Sequence, residues 1–480
     1  MTTEANRISV IRHDILEHVA RAFLEKGSDF GPELDKIPFL MRPKGSQYNR
    51  CCLYKDRAII KYRLMALLGA SYEAETDESK TLKEYLNDAL AEKKRPDKPI
   101  TACGAGCSGC PDRKYFVTDN CRGCFARPCY YNCPVGAIRV ENQHAVIDQT
   151  KCISCGKCMT LCPFHAITKT AVPCEDACPV GAIKKNSEGI AEIDFDKCIF
   201  CGKCFSNCPF SAIMERSELM NVLNEIKKGK EVVAIIAPSA QNQFPGTVGQ
   251  LFSAVAKIGF KDVIEVALGA EMTTEHEAQE FQEKMIEGAK LVTSSCCTAY
   301  VEAAKKHAPE LLPMVSTTPS PMLYAADIAR KQYPDAQIVF IGPCIAKRYE
   351  VTLHPDKVDW VMTFEELGTV FAAMNIDVLA QAEWPIPRPA AATARNFARS
   401  CGVTDAILKE LEAHPELAKR GFKADVKFIN GLTPKTVKML QLYGKGKLPG
   451  NFLEVMACCG GCTGGPCSLT QAFNPDKKGV

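Results

Sequence analysis

Seventeen cysteines fall between Cys103 and Cys208, and this stretch constrains the chain more than any other feature. Their intervals are regular. Cys152, Cys155, Cys158 and Cys162 are separated by two, two and three residues and closed by Pro163, and Cys198, Cys201, Cys204 and Cys208 repeat that spacing ahead of Pro209. Cys121, Cys124, Cys129 and Cys133 form a variant with a middle gap of four, while Cys174 and Cys178 are a partial copy, and a proline follows each. The tails repeat as well, with Pro134-Val135-Gly136-Ala137-Ile138 matched by Pro179-Val180-Gly181-Ala182-Ile183. A chain of 480 residues buries a core without cross-links, so fold stability does not explain these thiols. Residues Met1 to Ala20 mix charged and apolar side chains, unlike an export signal. The expected setting is therefore a reducing cytoplasm, where clustered cysteines bind metal or do redox work.

The two-two-three spacing with a closing proline matches the run by which bacterial ferredoxins hold 4Fe-4S cubanes. A tight loop aims three thiolates at one cube, and the fourth cysteine reaches its neighbour. Three complete runs supply twelve ligands, enough for three clusters; Cys103, Cys107, Cys110, Cys174 and Cys178 remain, enough for a fourth with one cysteine spare. Sequential and nested pairings use the same residues, so spacing leaves the partners open. Zinc is the competing metal, but its paired knuckles need neither the three-residue gap nor the proline. Cys51-Cys52 reads either as a pair of small buried hydrophobes or as further ligands.

Around this unit the text changes character. Ile8, Ile11, Ile15 and Val19 recur at helical spacing, as do Leu82, Tyr85, Leu86 and Leu90, so residues 1–98 read as a small helical domain ending in a solvated linker, Lys93 to Pro99. Residues 99–215 form the repeated iron-sulfur unit. From 230 to 480, strand-like runs at Val232–Ile236, Asp262–Val266, Gln337–Ile341 and Phe452–Met456 alternate with helical patterns such as Leu251, Ala254, Val255 and Ile258. Such alternation predicts an α/β domain with mostly parallel sheets. The fold class is thus an α/β domain preceded by a ferredoxin-like iron-sulfur domain and a helical segment. A balance of 59 basic to 56 acidic residues speaks against nucleic acid as a partner, and no apolar run reaches the length of a membrane span.

The carboxyl-terminal part carries three more cysteine motifs: Thr293-Ser294-Ser295-Cys296-Cys297, Gly342-Pro343-Cys344-Ile345-Ala346-Lys347-Arg348-Tyr349-Glu350, and Glu454-Val455-Met456-Ala457-Cys458-Cys459-Gly460-Gly461-Cys462-Thr463-Gly464-Gly465. Each follows a strand-like run, where α/β sheets gather ligands. In this order, behind a polyferredoxin, they resemble the three signatures of the FeFe hydrogenases. The resemblance implies an H-cluster: a 4Fe-4S cubane joined to a di-iron unit with carbon monoxide, cyanide and dithiolate ligands. Its cubane ligands would be Cys297, Cys344, Cys458 and Cys462, the last as the bridge, and Cys296 would carry protons. The family's relay glutamates and serine fall on Glu277, Glu280 and Ser316. Its loop around the cyanides falls on Ala237, Pro238 and Ser239, with Lys347 beside them and Met456 by the bridging carbonyl.

The resemblance further implies reversible reduction of protons to dihydrogen, with electrons from a ferredoxin or similar redox protein and a di-iron unit delivered by maturation proteins. Two alternatives are a hydrogen sensor with slow turnover and an assembly scaffold lacking the di-iron unit; Cys296, Glu277, Ser316 and Lys347 would have no task in the scaffold. Departures from the family pattern are Thr298 where most members have proline, Gly342 where they have methionine, and the extra thiols Cys459 and Cys467. Cys401 is expected to be structural.

Overall fold

Two parallel sheets build the carboxyl-terminal part of the chain in a computed structural model that describes residues 7–91, 95–107, 110, 115–413 and 423–469. The larger sheet runs, in spatial order, Asp262–Glu265, Val232–Ile236, Gln337–Gly342, Trp360–Thr363. The smaller orders Val292–Thr293, Phe452–Met456, Val426–Asn430. Every pairing in both is parallel. Strands Val232–Ile236 and Phe452–Met456 are buried at every residue, as parallel strands covered on both faces must be. The sequence reading differs in small ways. Val266 opens the helix Val266–Ile286 instead of ending a strand, and strands Trp360–Thr363 and Val426–Asn430 carry no clear signal because they are short and contain polar residues. Helix Val248–Ile258 begins at a Thr247–Gln250 capping box and buries Leu251, Ala254, Val255 and Ile258 on one face.

The first segment is helical, with Arg7–Lys26, Leu53–Leu67 and Leu82–Ala91 as its main elements. Its apolar faces are not a separate core. Ile15, Val19, Leu64, Leu82 and Leu86 belong to the same apolar cluster as Val232 to Ile236. Residues 93 and 94 of the expected solvated linker lie outside the described residues; Arg95 is not solvated, because its guanidinium donates to the carbonyls of Val351 and Val358 at 2.8 and 2.9 Å and pairs with Glu218 at 3.5 Å.

Between these parts lie two small units of the same design, one inside the other. In the inner unit Tyr115–Val117 pairs antiparallel with Ile167–Lys169 around the hairpin Ile138–Glu141/His144–Ile147. In the outer unit Ile100–Ala102 pairs antiparallel with Ile213–Glu215 around the hairpin Ile183–Lys185/Ala191–Ile193. Each unit places one short helix before its hairpin and one after, Pro128–Tyr131 and Lys157–Leu161 in the inner, Pro173–Ala177 and Lys203–Asn207 in the outer. The outer unit also interlocks with the sheets. Phe200 stacks on Tyr349 at 4.2 Å, Lys306 Nζ donates to the Cys198 carbonyl at 2.7 Å, and a Cβ on Gly202 would lie 2.8 Å from both Ile345 and Pro466.

Candidate active site

Four strands of the two sheets end in loops that share one crevice. Cys297 caps helix Thr298–His307 and Cys344 caps helix Ile345–Leu353, so two helix amino termini, with their partial positive charge, present thiols to it. Cys458 follows strand Phe452–Met456, and Cys462 lies in the single turn Gly461–Gly464. The four thiols lie within electrostatic reach of one another. Burial pushes Cys344 up to about 11 and Cys462 to about 12, and Cys458 well above the ordinary thiol value, with the neighbouring thiolates adding to each rise. By themselves these buried thiols stay protonated; they can be held together as four thiolates only around a positive centre, which the irons of a cubane would provide.

Cys296 is buried beside them and held protonated chiefly by burial, and ionisation of Glu277 would raise it further. Glu277, fully buried on helix Val266–Ile286, accepts a hydrogen bond from the Ser295 N–H at 3.1 Å. Burial raises its carboxyl to about 8 against that bond. Its second oxygen has no strict hydrogen-bond partner among the described residues, although the Ser316 hydroxyl lies close enough to favour the ionised form. That hydroxyl donates to Glu280 at 2.6 Å. At Glu280 burial opposes ionisation, but Lys284, Ser316, Thr317 and Thr318 all donate to it and hold it near 2. Spacing of three sets both glutamates on one helix face, so the series runs from a thiol through a neutral carboxyl and a hydroxyl to an ionised carboxylate.

On the opposite wall, Ala237 follows strand Val232–Ile236 and its N–H bonds the Ile341 carbonyl at 2.9 Å. The turn Pro238–Ala240 packs against Gly461–Gly464. The Ser239 hydroxyl is buried there without a partner among the described residues, so this wall has a polar group to offer an acceptor. Lys347 donates to Ser320 Oγ at 3.1 Å and to the Cys296 carbonyl at 3.4 Å and pairs with Glu350. Burial works against its charge, but Glu350 more than restores it and raises its pKa. Met456 is buried in the apolar cluster that contains Cys296 and Cys297. These groups fit a cofactor with anionic and polar ligands as well as iron.

Glu350 and Glu454 are site residues that the sequence reading does not single out. Glu350 accepts from Ser320 at 2.6 Å, from Thr298 and from Lys347, which explains Thr298: its hydroxyl serves the carboxylate that orients the lysine. The signal is present as Lys347 and Glu350 three apart in the second motif. Glu454 is a buried acid in an otherwise apolar strand, accepting from the Cys401 and Thr404 N–H groups at 2.7 and 2.8 Å and adding negative potential at Cys296. Gly342 is explained by close approach, since a Cβ there would lie 2.6 Å from the Phe340 ring and 3.3 Å from the Ala237 Cβ.

The accessory thiols fall into groups of four. One cavity is lined by Cys107, Cys110, Cys174 and Cys208, and another by Cys133, Cys152, Cys155 and Cys158. Cys204 feels Cys201, Cys198 and Cys178 and, less strongly, Cys174 of the neighbouring group, and Cys129 feels Cys124, Cys162 and Cys121. Cys201 in turn feels Cys297, and Cys458 feels Cys201, so the Cys178/198/201/204 group adjoins the crevice. Cys103 packs with Ala66, Met214, Tyr62 and Tyr72 and feels the charge of Cys107 without lining that cavity.

Two parallel sheets over a thiol pocket, joined to repeated 4Fe-4S units, define an iron-sulfur oxidoreductase. The model of the iron only hydrogenase large subunit, C-terminal domain, matches residues 230–466, that of a 4Fe-4S binding domain residues 145–168, and that of the LdpA Fe-S cluster-binding domain residues 169–219. The chain is 30% identical to the periplasmic [Fe] hydrogenase large subunit of Nitratidesulfovibrio vulgaris over 66% of its own length and 85% of the relative's. It is 26% identical to iron hydrogenase 1 of Clostridium pasteurianum, covering 68% of this chain and 65% of that one, and 30% identical to the NADP-reducing hydrogenase subunit HndD of Solidesulfovibrio fructosivorans, covering 46% of each. The chain belongs to the FeFe hydrogenase family. It spans about half to two thirds of the length of the last two relatives. Among the described residues no helix is long and apolar enough to cross a membrane.

Proposed function

We propose that this chain reversibly reduces protons to dihydrogen at an H-cluster that Cys297, Cys344, Cys458 and Cys462 would hold, Cys462 on the di-iron side. The observation that carries the reading is the gathering of those four thiols from three loops with a fifth, Cys296, left beside them against a buried glutamate. When bound, the cofactor supplies the iron chemistry that interconverts protons, electrons and dihydrogen. The protein's own groups do the rest. Cys296 carries the proton nearest the crevice, and Glu277, poised near 8, can accept and return it around neutral pH. Ser316 links Glu277 to Glu280, which stays ionised at the outer end. The Ala237-Pro238-Ser239 loop and Lys347 would orient anionic ligands of the cofactor through Ser239 Oγ and the ammonium, and Met456 closes the pocket on its apolar side.

In this reading residues 230–480 hold the catalytic centre, residues 99–215 relay electrons through 4Fe-4S clusters, and residues 1–98 buttress both. The inner unit takes electrons from a ferredoxin-type donor, and the exposed side chains Phe125, Tyr131 and Ile153 beside its thiol groups offer a surface for it. Maturation proteins deliver the di-iron unit, and a reducing cytoplasm suits so many thiols. Infrared bands of bound carbon monoxide and cyanide in the matured protein, with hydrogen evolution from a reduced dye, test the reading. An assembly scaffold gives neither, and a sensor gives the bands with little turnover.

A further inference from the structure

We infer that the iron-sulfur region is one ferredoxin inserted into another, that it holds four cubanes with crossed ligand sets, and that Cys103 is the cysteine left without iron. The ligand sets are Cys121, Cys124, Cys129 and Cys162; Cys133, Cys152, Cys155 and Cys158; Cys107, Cys110, Cys174 and Cys208; and Cys178, Cys198, Cys201 and Cys204. Four observations converge on this. The strand pairing is nested, since Ile100–Ala102 closes on Ile213–Glu215 outside the closure of Tyr115–Val117 on Ile167–Lys169, so the inner unit interrupts the outer one between Cys110 and Cys174. The cysteines obey the same plan once that interruption is removed. In each unit a pair two residues apart is followed by a third cysteine that opens a three-residue gap to the fourth; for the outer unit the pair is Cys107 and Cys110, and the rest of its motif, Cys174 and Cys178, resumes after the insertion.

The backbone treats the four closing cysteines alike. The Sγ atoms of Cys133, Cys162, Cys178 and Cys208 accept from the N–H of Ala137, Ala166, Ala182 and Ala212 at 3.2, 3.4, 3.2 and 3.3 Å. The residue three after each, Gly136, His165, Gly181 or Ser211, has a φ between 50 and 64°, the left-handed turn that swings the N–H onto the sulfur. Cys178 and Cys208 are thereby equivalent to Cys133 and Cys162, and Cys133 lines a cavity with Cys152, Cys155 and Cys158, the thiols of the following motif. The cavity lined by Cys107, Cys110, Cys174 and Cys208 shows the same crossing in the outer unit. Cys103 has no cysteine counterpart in the inner unit, where Thr118 takes its place: the Cys103 N–H bonds the Ala212 carbonyl at 2.7 Å as the Thr118 N–H bonds the Ala166 carbonyl at 2.7 Å, and the Cys103 thiol packs with Ala66 and Met214.

This assignment deepens the proposed relay but is testable without hydrogen chemistry, on full-length protein produced without the di-iron unit. Iron per chain is measured for Cys103→Ala, for the double variants Cys178→Ala/Cys198→Ala and Cys174→Ala/Cys208→Ala, and for Cys133→Ala/Cys152→Ala as the inner-unit reference. Crossed sets predict that each double variant removes ligands from one cube and loses about four irons, while Cys103→Ala loses none. Pairing in sequence order predicts a loss of about eight irons from each double variant, and that result, or a loss of about four from Cys103→Ala, overturns the inference. Where a double variant does not fold, the reduced electron paramagnetic resonance spectra of Cys178→Ala and Cys198→Ala decide: alteration of the same cluster signal supports crossing, and alteration of different signals refutes it.

Discussion

Replacing Glu277 by glutamine separates what this residue does for turnover from what it costs the fold. Its carboxyl is held near 8 by burial, against an ordinary value of 4.5. Below 4.5 both folded and unfolded chains carry the proton, and glutamine resembles the acid. Between 4.5 and 8 the folded chain retains a proton that the unfolded chain releases, so wild-type stability falls as pH rises, by about 1.4 kcal/mol per pH unit. The deficit is about 3 kcal/mol at pH 7 and levels off near 5 kcal/mol above pH 8. The amide in Glu277→Gln keeps the acceptor for the Ser295 N–H and cannot ionise, so the variant should be more stable than wild type by a margin that is absent at pH 4.5 and grows to pH 8. For a domain of this size each kcal/mol moves the midpoint by roughly 2–4 °C, so thermal unfolding at pH 5, 6, 7 and 8 has the range to show it. Hydrogen evolution by the matured variant should fall by about 10²-fold or more. A stability difference that does not change with pH would refute the assignment of a neutral buried acid, and unchanged turnover would remove Glu277 from the proton path.

Cys296→Ala should lose about 10²-fold or more in hydrogen evolution while keeping its iron content if, as proposed, the thiol carries protons and is not a ligand. Glu280→Gln should flatten the acid limb of the stability profile, since the ionised carboxylate contributes above its ordinary 4.5 and that contribution is lost as pH falls toward about 2. Thr298→Pro keeps a residue suited to the first helical position but removes a donor to Glu350, so thermal unfolding should show a loss of about 1 kcal/mol that Thr298→Ser recovers. Gly202→Ala drives a Cβ into Ile345 and Pro466, at a cost of about 1–3 kcal/mol. Its donor-driven hydrogen evolution should drop more than its hydrogen–deuterium exchange, which needs no external electrons.

Residues whose chemistry is local are legible from sequence. Cysteine spacing marks the iron-sulfur units because a cubane loop is a short, self-contained geometry, and the alternating pattern marks parallel sheets because strands covered on both faces need apolar side chains throughout. What stays hidden depends on contacts across the chain. Glu350 and Glu454 also act through partners on other segments, Ser320 and Thr298 for one and the Cys401 and Thr404 N–H groups for the other, and their local signs, Lys347 three residues before Glu350 and the apolar strand around Glu454, do not name those partners. The helical segment looks separate because its charged faces dominate the text, whereas its apolar faces complete the core of the larger sheet.

The amino-acid sequence by itself determined that this chain binds iron through thiols, that its last part is a layered α/β domain, and that its three late motifs match one family, because each of these rests on residues close together in the chain. Only the tertiary structure decided which thiols share a pocket, since a closing cysteine can reach either of two cubes at no change in spacing. It also decided the protonation of Glu277 and Glu280, three residues apart on one helix, because burial raises one carboxyl while a ring of donors lowers the other, and neither surrounding is written in the order of residues.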